Sequence, residues 1–264
     1  MTDTKTITDG NGTTQFFDVS GDIRLVKPGT PPVYLPGDAI GRTMLFVPQA
    51  VTVAWQAPMV IYYHGHHGPA LIDDYITQMP ERDFRPLLKS LKVVLVEPQG
   101  GPLSKFGMLG TPAGVTKLIN QAMSAALRIT TRGPGQRMPD PQPRPWPLIF
   151  VGFSGGGATL TNVVITDKAD YVSQITEAWC FDCMYSGEGN EWVKWTTKYK
   201  KLRVRCSTEE GTGSPRAQAE VIRQAKKATP ALNIDIADTV KSTHEGLPGM
   251  FLPAFIQKIR SDKP

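Results

Sequence analysis

The sequence predicts an α/β protein whose mostly parallel central sheet is covered by helices on both faces. Eight short runs of apolar, β-branched or aromatic residues have the length and boundaries of strands. Helical spacing appears between the later runs, and strands that alternate with helices favour a parallel sheet. The 264 residues are 40% hydrophobic and 20% charged, a composition that supports a packed core and excludes general disorder.

The predicted strands are each bounded by glycine, proline or polar residues. They cover residues 43–47, 51–55, 59–63, 93–96, 148–151, 175–181, 202–206 and 234–237. Residues 43–63 carry no charge and are long enough to cross a bilayer, but they contain Pro48, Gln49, Gln56 and Pro58. These residues favour strands over a membrane helix, so we expect no integral membrane segment.

Helices are predicted from capping residues and apolar spacing. Thr111-Pro112 has the chemistry of a helix start and precedes apolar residues at helical spacing up to residue 126. Ser214-Pro215 opens a second helix that Pro230 stops, and a third covers roughly residues 250–259. Residues 158–166 are also compatible with a helix. Each of these segments follows a predicted strand, as a parallel sheet requires.

Residues 1–40 are polar and turn-rich, and they predict an N-terminal extension with room for one hairpin. Residues 41–264 are then expected to form one main domain. No apolar signal sequence precedes them, so cytoplasmic residence is the default expectation, and secretion by another route stays open. The oligomeric state is not predicted.

The net charge of +5 comes from scattered basic residues, and this pattern favours a solvated surface over a nucleic-acid interface. The three cysteines cannot form a disulfide framework. Cys180 and Cys183 form a C-x-x-C, but it ends a strand, whereas redox pairs lie at helix N-termini. We expect Cys180 and Cys206 to be buried on neighbouring strands.

The sequence Gly152-Phe153-Ser154-Gly155-Gly156 matches G-x-S-x-G between a predicted strand and a predicted helix. This context matters because a nucleophilic serine must lie on a sharp, strained turn where flanking side chains would collide. The N–H groups of the new helix, that of Gly155 first, point to where an oxyanion would form. Without other features, a glycine-rich turn with an incidental serine would explain the match.

Two further segments support a catalytic role. Residues 59–63 form a predicted strand that ends in His64-Gly65-His66-His67-Gly68, a loop whose Gly65 or His66 backbone N–H could be a second oxyanion donor. Downstream, His244 lies just before the last predicted helix.

With these motifs the chain resembles the α/β-hydrolase superfamily, and in particular its serine esterases and lipase-like members. The resemblance covers roughly residues 43–260. It implies an α/β-hydrolase fold, the nucleophile Ser154, the general base His244 and an acyl-enzyme mechanism without a cofactor or metal. It also implies a small-molecule or lipid-like ester substrate, while the identity of the substrate stays open.

The acid that completes the triad has several candidates. Asp182 follows the apolar strand 175–181 and is the preferred one, because an acid at this position is a known variant of the superfamily. Glu209 and Glu210 lie in the loop after the next strand, where most members carry the acid, but they also fit a solvated loop. Asp238 is a further candidate.

Two hypotheses other than a serine hydrolase stay open. The cluster of His64, His66 and His67 with Asp73 and Asp74 suits a metal-dependent hydrolase. The chain has four histidines in all, fewer than a dinuclear site of this kind normally uses. A non-catalytic, hydrolase-fold binding protein would be expected to lack a triad member.

Phe106, Met108 and Leu109 either line an acyl pocket or pack against the body.

Overall fold

A mixed sheet of nine strands forms the centre of the protein in its computed structural model, counted over the residues that the structure describes. These are residues 5–19, 42–54, 57–66, 72, 83–100, 104–130, 147–167, 169–185, 187–199, 203–208, 213–236 and 243–261. The strands are β1 (Lys5–Asp9), β2 (Gly12–Asp18), β3 (Arg42–Pro48), β4 (Met59–Tyr63), β5 (Val94–Pro98), β6 (Leu148–Phe153), β7 (Ile175–Phe181), β8 (Arg203–Ser207) and β9 (Ile234–Ile236).

The strands lie in the order β1-β2-β3-β5-β4-β6-β7-β8-β9. The pairs β1–β2, β2–β3 and β3–β5 are antiparallel. From β5 through β9 all pairs are parallel. The carboxyl ends of β4, β6 and β7 therefore meet at one edge, which we call the carboxyl edge. The mostly parallel sheet predicted from the sequence is confirmed.

Helices cover both faces of the sheet, as predicted. They are α1 (Arg85–Leu88), α2 (Pro112–Thr130), α3 (Gly157–Val164), α4 (Glu188–Lys198), α5 (Gly213–Ala228) and α6 (Gly246–Ser261). In β6, Leu148 and Phe150 pack with residues of α2 to α5, whereas Ile149 and Val151 pack with α1 and α6. This alternation divides the core into two layers, because successive strand residues point to opposite faces.

One predicted strand is wrong, and two helices, α1 and α4, were not predicted. Residues 51–54 form turns, with Val51 N–H donating to the Pro48 carbonyl. Val51 and Ala54 are buried in the core, so their apolar character reflects packing without strand pairing. Helix α4 lies where no helix was expected, since its buried Trp192 and Trp195 favour strands locally.

The predicted hairpin lies in the N-terminal segment. Strands β1 and β2 pair antiparallel, and β2 continues the sheet by pairing with β3. Residues 20–41 lie outside the described part of the chain, so the division at residue 40 stays a prediction. Among the described helices, none is long and apolar enough to cross a membrane.

The cysteines are buried thiols. Cys180 on β7 lies opposite Cys206 on β8, which confirms that they occupy neighbouring strands, and all three cysteines are free. Burial raises the pKa of the Cys180 thiol well above its usual value and also raises the pKa of Cys183. A protonated, buried thiol is a poor nucleophile, so a redox role for this C-x-x-C has no support.

A charged network is buried between β7 and β8. Arg205 Nε donates to Glu177 Oε2 at 2.7 Å, and the indole N–H of Trp179 donates to the same oxygen at 2.7 Å. Arg205 also lies over the ring of Phe255 of α6 and 3.8 Å from Asp235. Removing one partner of a buried ion pair leaves an uncompensated charge, which costs more than losing an exposed pair.

We therefore predict that Glu177→Ala lowers the free energy of unfolding by about 3 kcal/mol, because it removes the carboxylate that accepts from both Arg205 and Trp179 and so weakens the compensation of the buried guanidinium charge. For a chain of this size the melting temperature should fall by about 6–12 °C. Lys194→Ala is the matched control, since it removes an exposed ion pair with Glu191 and should cost less than about 1 kcal/mol. Equal effects of the two variants in urea melts would refute a stabilising role for the network.

Candidate active site

Ser154 lies at the sharp turn between β6 and α3. Its φ of 48° places a non-glycine residue in the left-handed region, which costs free energy and is most often found where a side chain is held for function. A short 3-10 helix, Ser154–Gly156, leads directly into α3. Ser154 is partly exposed at the carboxyl edge of the sheet.

The glycines after Ser154 are required by close packing. A Cβ at Gly156 would lie 2.3 Å from the carbonyl oxygen of Tyr63, at the end of β4. A Cβ at Gly157 would lie 1.8 Å from the carbonyl oxygen of Cys183. Since both obstacles are backbone atoms, only glycine allows this turn to lie so close to its neighbours.

Asp182 lies at the end of the adjacent strand β7 and is also strained. Its φ is 46°, its side chain is fully buried, and its backbone N–H donates to the Ser207 carbonyl at 2.8 Å. Asp182 Oδ2 accepts a hydrogen bond from His244 Nδ1 at 2.6 Å. This is the contact expected of an acid that orients a histidine.

His244 reaches the carboxyl edge from the turn before α6. Its ring packs against Phe153, the residue before Ser154, with centroids 4.7 Å apart and planes at 35°. Because Asp182 accepts from Nδ1, the Nδ1 atom carries the proton and Nε2 is the basic atom of the neutral ring. The side chain is 27% exposed, so solvent can reach the ring.

The predicted oxyanion residues lie beside Ser154. A Cβ at Gly65 would be 2.8 Å from Ser154 Cβ, and a Cβ at Gly155 would be 2.4 Å from His66 Nε2. The Ser154 side chain therefore leaves no room for a Cβ at Gly65, and the His66 ring leaves none at Gly155. The loop after β4 and the start of the 3-10 helix thus meet at one side of Ser154.

Both ring nitrogens of His64 form hydrogen bonds with the backbone. Its Nδ1–H donates to the Gly65 carbonyl at 2.8 Å, and its Nε2 accepts from the Gly100 N–H at 3.0 Å. A metal ligand needs an unshared ring nitrogen, so the hydrogen bonds of His64 count against the metal-site hypothesis. Within the described residues, no group of three histidine, cysteine, aspartate or glutamate side chains could hold a metal ion.

Several sequence candidates lie outside the described residues. For the metal site these are His67, Asp73 and Asp74, and for the triad acid they are Glu209, Glu210 and Asp238.

Of the two alternatives for the loop after β5, the structure supports packing, because Phe106 and Leu109 are buried in the core. Phe106 contacts the rings of Tyr63 and His64, with centroids 4.9 and 5.0 Å apart.

Tyr185 and Glu188 are site residues that the sequence analysis missed. Burial raises the pKa of the Tyr185 phenol, the neighbouring Ser154 hydroxyl lowers it, and the Tyr185 hydroxyl donates to the Asp182 carbonyl at 3.4 Å. Burial also raises the pKa of Glu188, whose carboxylate accepts the Tyr185 backbone N–H at 2.6 Å. Both residues follow Asp182 closely in the chain, and that position beyond a parallel strand could have identified them.

We predict that Gly156→Ala lowers the free energy of unfolding by about 1–3 kcal/mol, because its Cβ would collide with the Tyr63 carbonyl. Gly249→Ala is the control, since nothing lies within 4 Å of its Cβ. In α6 this control should be neutral or stabilising by about 0.5–1 kcal/mol. Urea melts measure both, and equal stabilities of the two variants would contradict the packing described.

Comparison with solved structures finds esterases of similar fold. A cold-adapted esterase from an Arctic intertidal metagenomic library is 13% identical over 100% of both chains, with a TM-score of 0.54. An S-formylglutathione hydrolase from Agrobacterium tumefaciens is 12% identical over 97% of this chain and 96% of that chain, with a TM-score of 0.51. A thermostable esterase is 12% identical over 98% of this chain and 61% of that chain, with a TM-score of 0.51.

No protein-family model matches the sequence, and no curated protein matches it. At these identities the structural similarity concerns the fold. The strand order, the parallel pairing from β5 to β9 and the helices on both faces agree with it. The protein therefore has the α/β-hydrolase fold.

Proposed function

We propose that the protein is a serine hydrolase of carboxylic esters, with Ser154 as nucleophile, His244 as general base and Asp182 as the acid. The observation that carries this proposal is the 2.6 Å hydrogen bond between Asp182 Oδ2 and His244 Nδ1. It lies at the carboxyl edge, beside the strained turn of Ser154. The fold similarity to esterases supports the same class of reaction.

In the proposed mechanism, Nε2 of His244 accepts the proton of the Ser154 hydroxyl while Oγ attacks the ester carbonyl carbon. The resulting imidazolium is stabilised by the Asp182 carboxylate. When the tetrahedral intermediate collapses, the bond to the alcohol oxygen breaks and His244 gives its proton to that oxygen. Water then attacks the acyl-serine carbonyl while His244 accepts its proton. Collapse of this second intermediate breaks the bond to Ser154 Oγ, which takes the proton from His244. The carboxylic acid product is released and the Ser154 hydroxyl is restored.

The oxyanion of the intermediate would be held by backbone N–H groups. Gly155 N–H is one proposed donor, and Gly65 or His66 N–H is the second. Both belong to segments in contact with Ser154, and the first turn leading into α3 adds the positive end of a helix dipole. A side chain is therefore not required at Gly65, where a Cβ would meet Ser154 Cβ at 2.8 Å.

The substrate is proposed to be a small-molecule or lipid-like ester, and the mechanism uses no cofactor. Tyr185 and Phe153 place aromatic surface beside Ser154 and His244, which suits an apolar acyl or alcohol group. A panel of p-nitrophenyl esters of increasing chain length tests the proposal and ranks the acyl groups. Absence of hydrolysis across the panel would count against an esterase.

Ser154→Ala should abolish hydrolysis of the preferred ester, because the proposed acyl-enzyme forms on the hydroxyl that this substitution removes. The melting temperature should not fall, since the substitution removes only a hydroxyl from a partly exposed residue. In the wild type, a fluorophosphonate should label this serine and no other, as read by peptide mass spectrometry. Labelling elsewhere, or loss of activity to a chelator without labelling, would reject the serine mechanism.

Asp182→Asn should lower kcat by up to about 10⁴-fold, because the amide can no longer fix the tautomer of His244 or stabilise its imidazolium. Glu209→Gln and Glu210→Gln should change kcat by less than about tenfold, the result expected for solvated charges. Melting curves must accompany the kinetics to show that each variant is folded. If a glutamate variant loses most of its kcat while Asp182→Asn stays active, that glutamate and not Asp182 is the acid of the triad.

A further inference from the structure

Ser104 has the same unusual backbone conformation as two residues of the proposed triad. Within the described part of the chain, three non-glycine residues have a positive φ: Ser104 at 53°, Ser154 at 48° and Asp182 at 46°. Such a conformation costs free energy and persists where the surrounding structure enforces it, commonly at functional sites. The mechanism above accounts for the positions of Ser154 and Asp182 but not for Ser104.

The hydroxyl of Ser104 is buried without a partner. The residue is 4% exposed, and among the described residues its Oγ has no hydrogen-bond partner. A buried hydroxyl that makes no hydrogen bond is destabilising. In the free protein, the positive φ of Ser104 and the missing hydrogen bond of its hydroxyl each lower the stability of the folded state. A functional role would explain why both are retained.

The position of this hydroxyl supplies the explanation. A Cβ built on Gly155 would lie 2.7 Å from Ser104 Oγ and 2.4 Å from the His66 Nε2 atom. Ser104 Oγ therefore lies where a side chain of Gly155 would project, next to the residue whose N–H is the proposed oxyanion donor. The hydroxyl lies on the side of Ser154 where the loop after β4 and the start of the 3-10 helix meet.

The loop of Ser104 is held firmly against that side of the site. His64 connects the two loops, because its ring accepts the Gly100 N–H and donates to the Gly65 carbonyl. Two residues after Ser104, the buried ring of Phe106 packs on His64. Contacts at Gly100 and Phe106, on either side of Ser104 in the chain, thus tie its segment to His64 and Gly65 before any substrate binds.

We infer that Ser104 is a further catalytic residue, whose side-chain hydroxyl donates a hydrogen bond to the oxyanion. This inference rests on the proposed function. As Ser154 Oγ adds to the ester carbonyl, the π electrons move to the carbonyl oxygen, which becomes an acceptor for the Ser104 O–H. No proton is transferred, and the bond weakens when the carbonyl re-forms. A dehydrated, preoriented donor stabilises the charged intermediate more than the neutral substrate.

The test compares Ser104→Ala with Ser104→Gly. Both lack the hydroxyl, but glycine also relieves the strain at a φ of 53°. Each should lower kcat on the preferred p-nitrophenyl ester by about 10²-fold, with KM changed by less than about threefold. Neither should lower the melting temperature, because each removes an unsatisfied buried group. Ser124→Ala, on the exposed side of α2, is the matched control and should leave kcat unchanged.

A transition-state analogue separates the catalytic role from a structural one. A trifluoromethyl ketone adds to the nucleophile and forms an oxyanion, so its inhibition constant should rise in both Ser104 variants by a factor close to the loss in kcat/KM. If both variants keep the wild-type kcat and inhibition constant, Ser104 is not a catalytic donor. If only Ser104→Ala loses activity, the backbone rather than the hydroxyl is responsible, and the inference is also wrong.

Failure of the inference can be distinguished from failure of the proposed function. Suppose that the wild type hydrolyses the ester and is labelled at Ser154 by a fluorophosphonate, while both Ser104 variants are fully active. This result would reject the role of Ser104 and leave the serine mechanism intact. Wild type that is neither active nor labelled would reject the serine mechanism, and the role of Ser104 with it. Should Ser104→Ala fail to fold, Ser104→Gly decides the question.

Discussion

The parallel pairing of β4, β6 and β7 is the constraint on which the candidate site depends. Because the three strands are neighbours and run in one direction, the residues that follow them emerge together at the carboxyl edge. Gly65 follows β4, Ser154 follows β6 and Asp182 follows β7. A change of register or order in this sheet would separate these residues, however well each local turn was formed.

Backbone strain is concentrated at the same edge. Ser104, Ser154 and Asp182 each have a positive φ where the sequence could have used glycine. The two buried core layers on either side of the sheet supply the packing that keeps these conformations populated. Local rules of conformation are broken where the site lies and followed in the strands that support it, the pattern expected when a protein gives up stability for function.

The sequence predicted the parallel sheet, the helices α2, α3, α5 and α6, and the strand–turn–helix around Ser154, because these depend on local spacing and glycine chemistry. It failed at residues 51–54, since apolar residues buried by turns have the same composition as a short strand. It missed α4, whose tryptophans gain their stability from tertiary burial. Nothing local distinguishes Ser104 from other loop serines, because its unsatisfied hydroxyl is a property of the folded chain.

If Asp182 orients His244 at the carboxyl edge, proton NMR of the His244 ring should detect their hydrogen bond. We expect a strongly downfield Nδ1 proton, the mark of a short hydrogen bond to a carboxylate, and it should disappear in Asp182→Asn. The same resonance should persist unchanged in Glu209→Gln and Glu210→Gln. If the resonance survives in Asp182→Asn and is lost in either glutamate variant, Asp182 does not orient His244.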